Sequence, residues 1–255
     1  MWNQIFDQYT TFLLIFTRVM AIILLNPFTG RRNVPVILKA GFSFLLAVII
    51  NSTAQVNTVE FAGIPQFFFA ALKEMLIGFS IAILLNMFVG VVGIAGELID
   101  SQIGLGMSRM YDSSSNVALS FTGTLFNLMF MLIFFACDGH LTLVRMIDLS
   151  FSLLPPGFTS FGVKLGEYLP GLLTNIVALG FKIALPIIAA ELVVKVAQGI
   201  MMRSIPQINI FSAGIQLKLI LGMVVLMVIL PTLAGLINTL VTRMFEEVQK
   251  SLTLW

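Results

Sequence analysis

Residues Gly90–Asp100 read GVVGIAGELID and overlap the end of the apolar run from Phe67 to Ile94. Advancing about 100° per residue with Gly90 at 0°, a helix places Gly93 at about 300°, Gly96 at about 240°, Glu97 at about 340° and Asp100 at about 280°. Three glycines and two carboxylates therefore share one side of the helix. Glycine lets another backbone approach closely, and close van der Waals packing drives helix association where lipid is as apolar as the side chains. The carboxylates on that side need cationic or donor partners, because a buried charge without one is costly. Gly90, Gly93, Gly96, Glu97, Asp100 and the adjoining Gln102 are thus predicted to form a helix-packing or subunit-contact face that touches protein, not lipid. A tight helix pair within the chain and a subunit contact or pore wall both satisfy that reading.

Immediately downstream, residues 104–116 read GLGMSRMYDSSSN. Gly104 and Gly106 break the helix, Asp112 to Asn116 form a polar turn run, and Leu105, Met107, Met110 and Tyr111 lie between them with Ser108 and Arg109. Methionine is unbranched and polarizable, so a loop of this composition can fill an irregular hole and be displaced again. A simple cap over a helix bundle would use the same residues.

The rest of the chain is written in the same apolar hand. Of 255 residues, 58% are apolar and 10% charged, against roughly 45–50% and roughly 25% in soluble domains. A bilayer core about 30 Å thick needs about 20 apolar residues per helix. Six blocks qualify: Phe12 to Leu25, Val36 to Ile50, Phe67 to Ile94, Val117 to Cys137, Leu169 to Ala190 and Gly214 to Leu240. The first two reach a full span only if their flanks join the helix. No basic segment precedes the first block and Arg18 lies inside it, so it is expected to be a retained helix and not a cleaved signal. The expected fold is all-α: a polytopic membrane protein of about six apolar segments arranged as hairpins. Lys and Arg in alternate connections number seven on one side and four on the other, which favours both ends outside. Pro186 and Pro231 should kink their helices, which membrane bundles tolerate. The connection 138–168, with Pro155-Pro156-Gly157, is the only long one, and no soluble domain is separable.

Arg18, Lys73, Glu74 and Lys182 fall inside apolar blocks, where an ionised group at the bilayer centre costs on the order of 3 kcal/mol. They are predicted to snorkel, to pair within a bundle, or to mark helices packed into an assembly. Towards the C-terminus, Glu191 and Lys195 stand at i, i+4 in the favourable order, carrying their helix to about Met202. Arg203-Ser-Ile-Pro206-Gln207-Ile-Asn209-Ile-Phe211 then turns the chain, because Pro206 disfavours helix at Ile205.

Several function classes are excluded. A net charge of +2 offers no field for a nucleic-acid backbone. One cysteine, Cys137, and one histidine, His140, cannot build a zinc site or a His-Glu-x-x-His metalloprotease. No phosphate loop or dinucleotide fingerprint occurs, and Gly106-Met-Ser108-Arg109 lacks the second glycine of an intramembrane serine protease. No catalytic residue, metal or cofactor is expected, and His140 reads as a helix-end residue.

The two motifs GELIDSQIGLGM (96–107) and RSIPQINIF (203–211), in this order and with six apolar blocks around them, resemble the FliR family of bacterial flagellar export-gate proteins, with injectisome gate subunits as a sister group. The resemblance covers nearly the whole chain. One departure is Ser113 after Asp112, where the family commonly has proline. The resemblance implies a non-enzymatic structural and gating subunit of the flagellar export channel in the inner membrane, at the basal body. FliP-like and FliQ-like subunits would be its partners in a helical ring, with unfolded proteins as substrates and membrane lipid around it. By that resemblance, 1–168 is FliP-like and contains the plug, 169–255 is a FliQ-like hairpin, and several hairpins are drawn out of the bilayer plane into the assembly. Gly104, Leu105, Gly106, Met107, Ser108, Arg109, Met110, Tyr111 and Asp112 then correspond to the pore plug. Arg203, Pro206, Gln207, Asn209 and Phe211 correspond to a cytoplasmic hairpin turn near an FlhB-like subunit. The rival reading is an ion-coupled secondary transporter of a small solute, built on inverted repeats and pairing Lys73 or Glu74 with Asp100; no inverted repeat is present.

Overall fold

The computed structural model describes residues 2–30, 34–53, 61, 63–105, 120–157, 162–204 and 210–255. Every regular element among them is helical: α1 (Trp2–Leu25), α2 (Val36–Thr53), α3 (Ile64–Ile103), α4 (Phe121–Ala136), α5 (Gly139–Leu153), α6 (Val163–Ser204) and α7 (Ile210–Leu252). Five are long and apolar enough to cross a membrane, and six spans result if α4 and α5 count as one broken span. The backbone has to be this way, because in hydrocarbon a helix satisfies its own N–H and C=O groups.

Lengths depart from the simple six-span expectation. The third apolar block and the glycine-rich stretch after it form one helix, α3, of 40 residues, while α6 has 42 and α7 has 43. At about 1.5 Å per residue each is about 60 Å long, about twice the hydrocarbon core. The connection 138–168 is also corrected: it contains α5. Gly139, Leu143, Ile147, Ser150 and Phe151 are its buried residues, largely at the three- and four-residue spacing of one helix face. Arg145 and Asp148 on the other faces kept its hydropathy below that of a span. Asp138, in the left-handed region at φ 53, separates α4 from α5.

Two compact units divide the chain. The first runs over Met1–Phe88, Cys137–Gly171 and Thr242–Trp255. In it α1 packs on α2, with Phe12 edge-on to Phe44 at 5.5 Å between centroids, and α1 meets α3 where Gly78 removes the side chain. A Cβ there would lie 2.6 Å from the Arg18 carbonyl oxygen and 2.8 Å from Ala21 Cβ. Arg18 itself is fully buried. Its Nε donates to Glu74 Oε2 at 2.6 Å, its Nη1 to Ser150 O at 2.7 Å, and its Nη2 to Leu154 O at 2.8 Å. The guanidinium also lies 4.2 Å from the Phe151 ring centroid. The other Glu74 oxygen accepts from Gly157 N at 3.0 Å. A cation thus covers carbonyls at the C-terminal end of α5, where the helix dipole favours it, and its counter-ion holds the turn that follows. Of the four charges singled out above, Arg18 and Glu74 pair, Lys73 is half-buried and Lys182 is exposed.

The second unit runs over Val89–Ala136 and Leu172–Val241. Its core draws Val91, Val92, Ala95 and Ile99 from α3, Phe126, Phe130 and Phe134 from α4, Ile183 and Ile187 from α6, and Leu226 and Leu233 from α7. Helices α6 and α7 continue through Pro186 and Pro231.

Candidate functional site

Within the second unit, α3 and α4 cross at a pair of glycines. A Cβ on Gly96 would overlap the backbone of Gly123 and lie 2.7 Å from the Thr122 carbonyl carbon. Only two glycines allow the backbones so near. One turn further along α3, Asp100 is 1% exposed and faces the first turn of α4. Its Oδ2 accepts from Ser120 Oγ at 2.5 Å, its Oδ1 accepts from Thr122 Oγ1 at 2.5 Å, and the Thr122 N–H points at both oxygens at 3.2 and 3.4 Å. Ser120 Oγ also accepts from Gly123 N at 3.0 Å, the N-cap bond of a serine before an apolar helix. The first turn of any helix has N–H groups without intrahelical partners and a positive dipole end. Here a carboxylate from another helix supplies both an acceptor and the matching charge. The Asp100 main chain acts as well: Gly104 N donates to Asp100 O at 3.1 Å, and the helix ends there because Gly104 turns left-handed at φ 95.

The C-terminal end of α3 also meets α6 and α7. Lys195 Nζ donates to Gln102 Oε1 at 2.8 Å. Gly222 of α7 leaves room for its neighbours, since a Cβ there would lie 2.7 Å from Ile103 Cγ1 and 2.8 Å from Glu191 Oε1. Glu191 is 1% exposed, and its Oε2 has no hydrogen-bond partner among the described residues. Lys218 and Lys195 are the cations that act on it electrostatically.

The residues predicted from sequence are placed as follows. Gly96, Asp100 and Gln102 make the contacts just described. A Cβ on Gly93 would reach only Asn127 Nδ2 at 4.0 Å, and one on Gly90 would meet nothing within 4 Å; Glu97 is exposed. Gly104 and Leu105 close the described part of α3's end, both half-buried. Gly106, Met107, Ser108, Arg109, Met110, Tyr111 and Asp112 lie outside the described residues, as do Pro206, Gln207 and Asn209. Arg203 is exposed in the last turn of α6, which stops at Ser204, and Phe211 falls in the first turn of α7. Sequence reasoning did not single out Ser120, Thr122, Gly123 or Gly222. Ser120 before the apolar run was a readable N-cap signal, whereas its tie to Asp100 is non-local. Among the described residues no group of three or more His, Cys, Asp or Glu side chains is placed to hold a metal.

Neither carboxylate that a coupled transporter would use is spare: Glu74 is committed to Arg18 and Gly157, and Asp100 to Ser120 and Thr122. The site's chemistry is that of holding: donors and acceptors matched in a buried place, with glycines setting the approach.

The sequence profile of a family described as "Bacterial export proteins, family 1" matches residues 9–244. The chain is similar to the Flagellar biosynthetic protein FliR of Bacillus subtilis (strain 168), 28% identical over 99% of this chain and 98% of that protein. It is similar to the protein of the same name in Aquifex aeolicus (strain VF5), 29% identical over 87% and 85% of the two chains. A third, from Escherichia coli (strain K12), is 28% identical over 90% and 87%.

Proposed function

The chain belongs to family 1 of the bacterial export proteins and is a membrane component of flagellar export, and from that premise we propose that it is a structural and gating subunit of the export channel through which unfolded flagellar proteins leave the cell. The observation that carries this reading is the length over which apolar surface is left open. On α6, exposed large apolar side chains run from Leu173 to Met201. At about 1.5 Å per residue this stretch is about 42 Å long, more than a hydrocarbon core of about 30 Å covers in a helix that is not strongly tilted. Other apolar helices must therefore cover part of it. FliP-like and FliQ-like subunits in a helical ring supply such helices, with several hairpins raised out of the bilayer plane in the inner membrane at the basal body.

In this assembly residues 1–168 take the FliP-like place and 169–255 the FliQ-like place. The plug comprises Gly104 to Asp112, and the basic turn from Arg203 to Phe211 faces the cytoplasm near an FlhB-like subunit. The glycine crossing and the Asp100 ties support the plug assignment, because they give the connection between α3 and α4 firmly fixed ends. Purifying the complex from native membranes tests the reading. Recovery with FliP-like and FliQ-like subunits in fixed ratio is expected; recovery of the chain alone, folded and functional in solute uptake, would overturn it.

A further inference from the structure

Helix α6 has two faces. Ile176, Gly180, Ile183 and Ile187, three or four residues apart, are buried and make its inward side. On the other side Asn175, Lys182 and Ala189 stand seven residues apart, each followed three residues later by Ala178, Leu185 and Leu192, and all of these are exposed. That is the a and d spacing of a helix–helix seam. Lys182 lies in the middle of it and makes no hydrogen bond or ion pair among the described residues. We propose that this seam docks a helix of a different subunit, one that presents an aspartate or glutamate opposite Lys182, and that the charge pair fixes which helix docks and in what register. The proposal rests on the reading above that other subunits cover α6, and adds the chemistry of the one that does.

Lipid does not suit this face. The next exposed charges along α6 are Glu167 and Lys195, and a hydrocarbon core of about 20 residues fitted between them always encloses Lys182. The lysine Cβ leans towards the helix N-terminus, and on that side the edge of the core is never nearer than about seven residues, or about 10 Å. A four-carbon stem does not snorkel so far, and an ammonium left inside is costly. Raised out of the bilayer, the same seam would put Leu185 and Leu192 in water. Protein answers both difficulties. Enclosed by apolar helices, the cation needs an anion, while Asn175, two turns away on the same line, offers a second polar contact and Ala178 and Ala189 let another backbone come close. A single polar residue at an a position sets register at some cost in stability, because every other alignment leaves it unpaired. A second copy of this chain is a poor source of the carboxylate: deep in its long helices, Glu74, Asp100 and Glu191 are at most 1% exposed, and Glu97 is engaged within its own chain.

The test uses the full chain in cells that make the whole export apparatus. A photoreactive phenylalanine replacing Leu185 is irradiated in native membranes and its adduct mapped. The expected adduct is a helix of another subunit with an Asp or Glu within one turn of the attachment point. An adduct with lipid alone, with a second copy of this chain, or with a segment lacking a carboxylate there overturns the proposal. Recovery of the complex is then compared for Lys182→Arg, Lys182→Met and Lys182→Glu. Lys182→Arg should stay within about twofold of the parent; Lys182→Met should fall, and Lys182→Glu should fall further, by about tenfold or more, as expected for a buried charge pair broken and then reversed. Exchanging the mapped carboxylate for lysine should restore recovery with Lys182→Glu and not with the parent chain. Parental recovery of Lys182→Glu, or no restoration by the exchange, overturns the proposal. If Lys182→Glu does not accumulate in the membrane even with the exchanged partner, Lys182→Met and the adduct decide. The parent chain separates the two ideas: copurification with other export subunits but a lipid adduct at Leu185 defeats the seam alone, whereas recovery of the parent chain by itself defeats the reading on which it rests.

Discussion

Replacing Glu74 by Gln leaves the Arg18 guanidinium fully buried, without its anion, and tests whether this ion pair organises the first unit. Both members are at most 1% exposed, so water cannot make up the loss, and breaking one side of a buried pair costs about 3–5 kcal/mol. That is a factor of about 10² to 10³ or more in the ratio of folded to unfolded protein, at about 1.4 kcal/mol per decade. Arg18→Met should cost at least as much: it strands the Glu74 carboxylate with Gly157 N alone and leaves Leu154 O uncovered, an orphaned acceptor worth about 1–3 kcal/mol. Ser150 O suffers less, since Leu154 N also donates to it at 3.0 Å. In Arg18→Met/Glu74→Leu no uncompensated charge remains, and the two apolar side chains keep much of the volume. The double variant should therefore be more stable than Arg18→Met alone despite carrying two changes, with a coupling of about 2 kcal/mol or more. Equilibrium unfolding in detergent, followed by circular dichroism, measures these proteins together with Glu74→Leu, the single variant that closes the cycle. Additive losses, or single variants within about 1 kcal/mol of the parent, would refute the argument.

Gly96→Ala should destabilise the protein by about 1–3 kcal/mol because its methyl meets the Gly123 backbone, whereas Gly90→Ala, with nothing within 4 Å, should be neutral or stabilising by up to about 1 kcal/mol from helix propensity; thermal unfolding ranks them. Gly222→Ala should be damaging for the same reason as Gly96→Ala, since it meets Ile103 and Glu191, and should reduce recovery of the complex. Ser204, exposed at the end of α6, should label from the cytoplasmic side when changed to cysteine in a Cys137→Ser background; labelling of intact cells from the periplasm by an impermeant thiol reagent would reverse the orientation.

What was legible in the sequence was what is local and periodic. Apolar blocks revealed the helices, Gly104 the end of α3, and Pro206 the end of α6 at Ser204. Asp100 could be recognised as a group needing donors, because a buried carboxylate always does. Its donors could not be named, since Ser120 and Thr122 sit about twenty residues on and look like any polar start of a helix. The three glycines looked equivalent on the helical wheel, yet only on Gly96 would a Cβ strike another helix's backbone: which sector a neighbour occupies is set by α4, not by α3. Helix α5 was missed because hydropathy weighs every face equally, and its exposed Arg145 and Asp148 diluted the buried stripe of Leu143, Ile147 and Phe151. Arg18 and Glu74 showed that charges needed partners; only packing could match them with each other.

The central claim is that this subunit helps seal a protein-conducting channel with residues 104–112. An unsealed channel would dissipate about 2.3 kcal/mol for every elementary charge crossing 100 mV, so the seal has an electrical signature. Ion conductance is to be measured in cells whose chain lacks Leu105 to Tyr111, alongside recovery of the complex. The account predicts intact assembly with a clear rise in conductance. Normal assembly with unchanged conductance would contradict it and place the seal in the partner subunits.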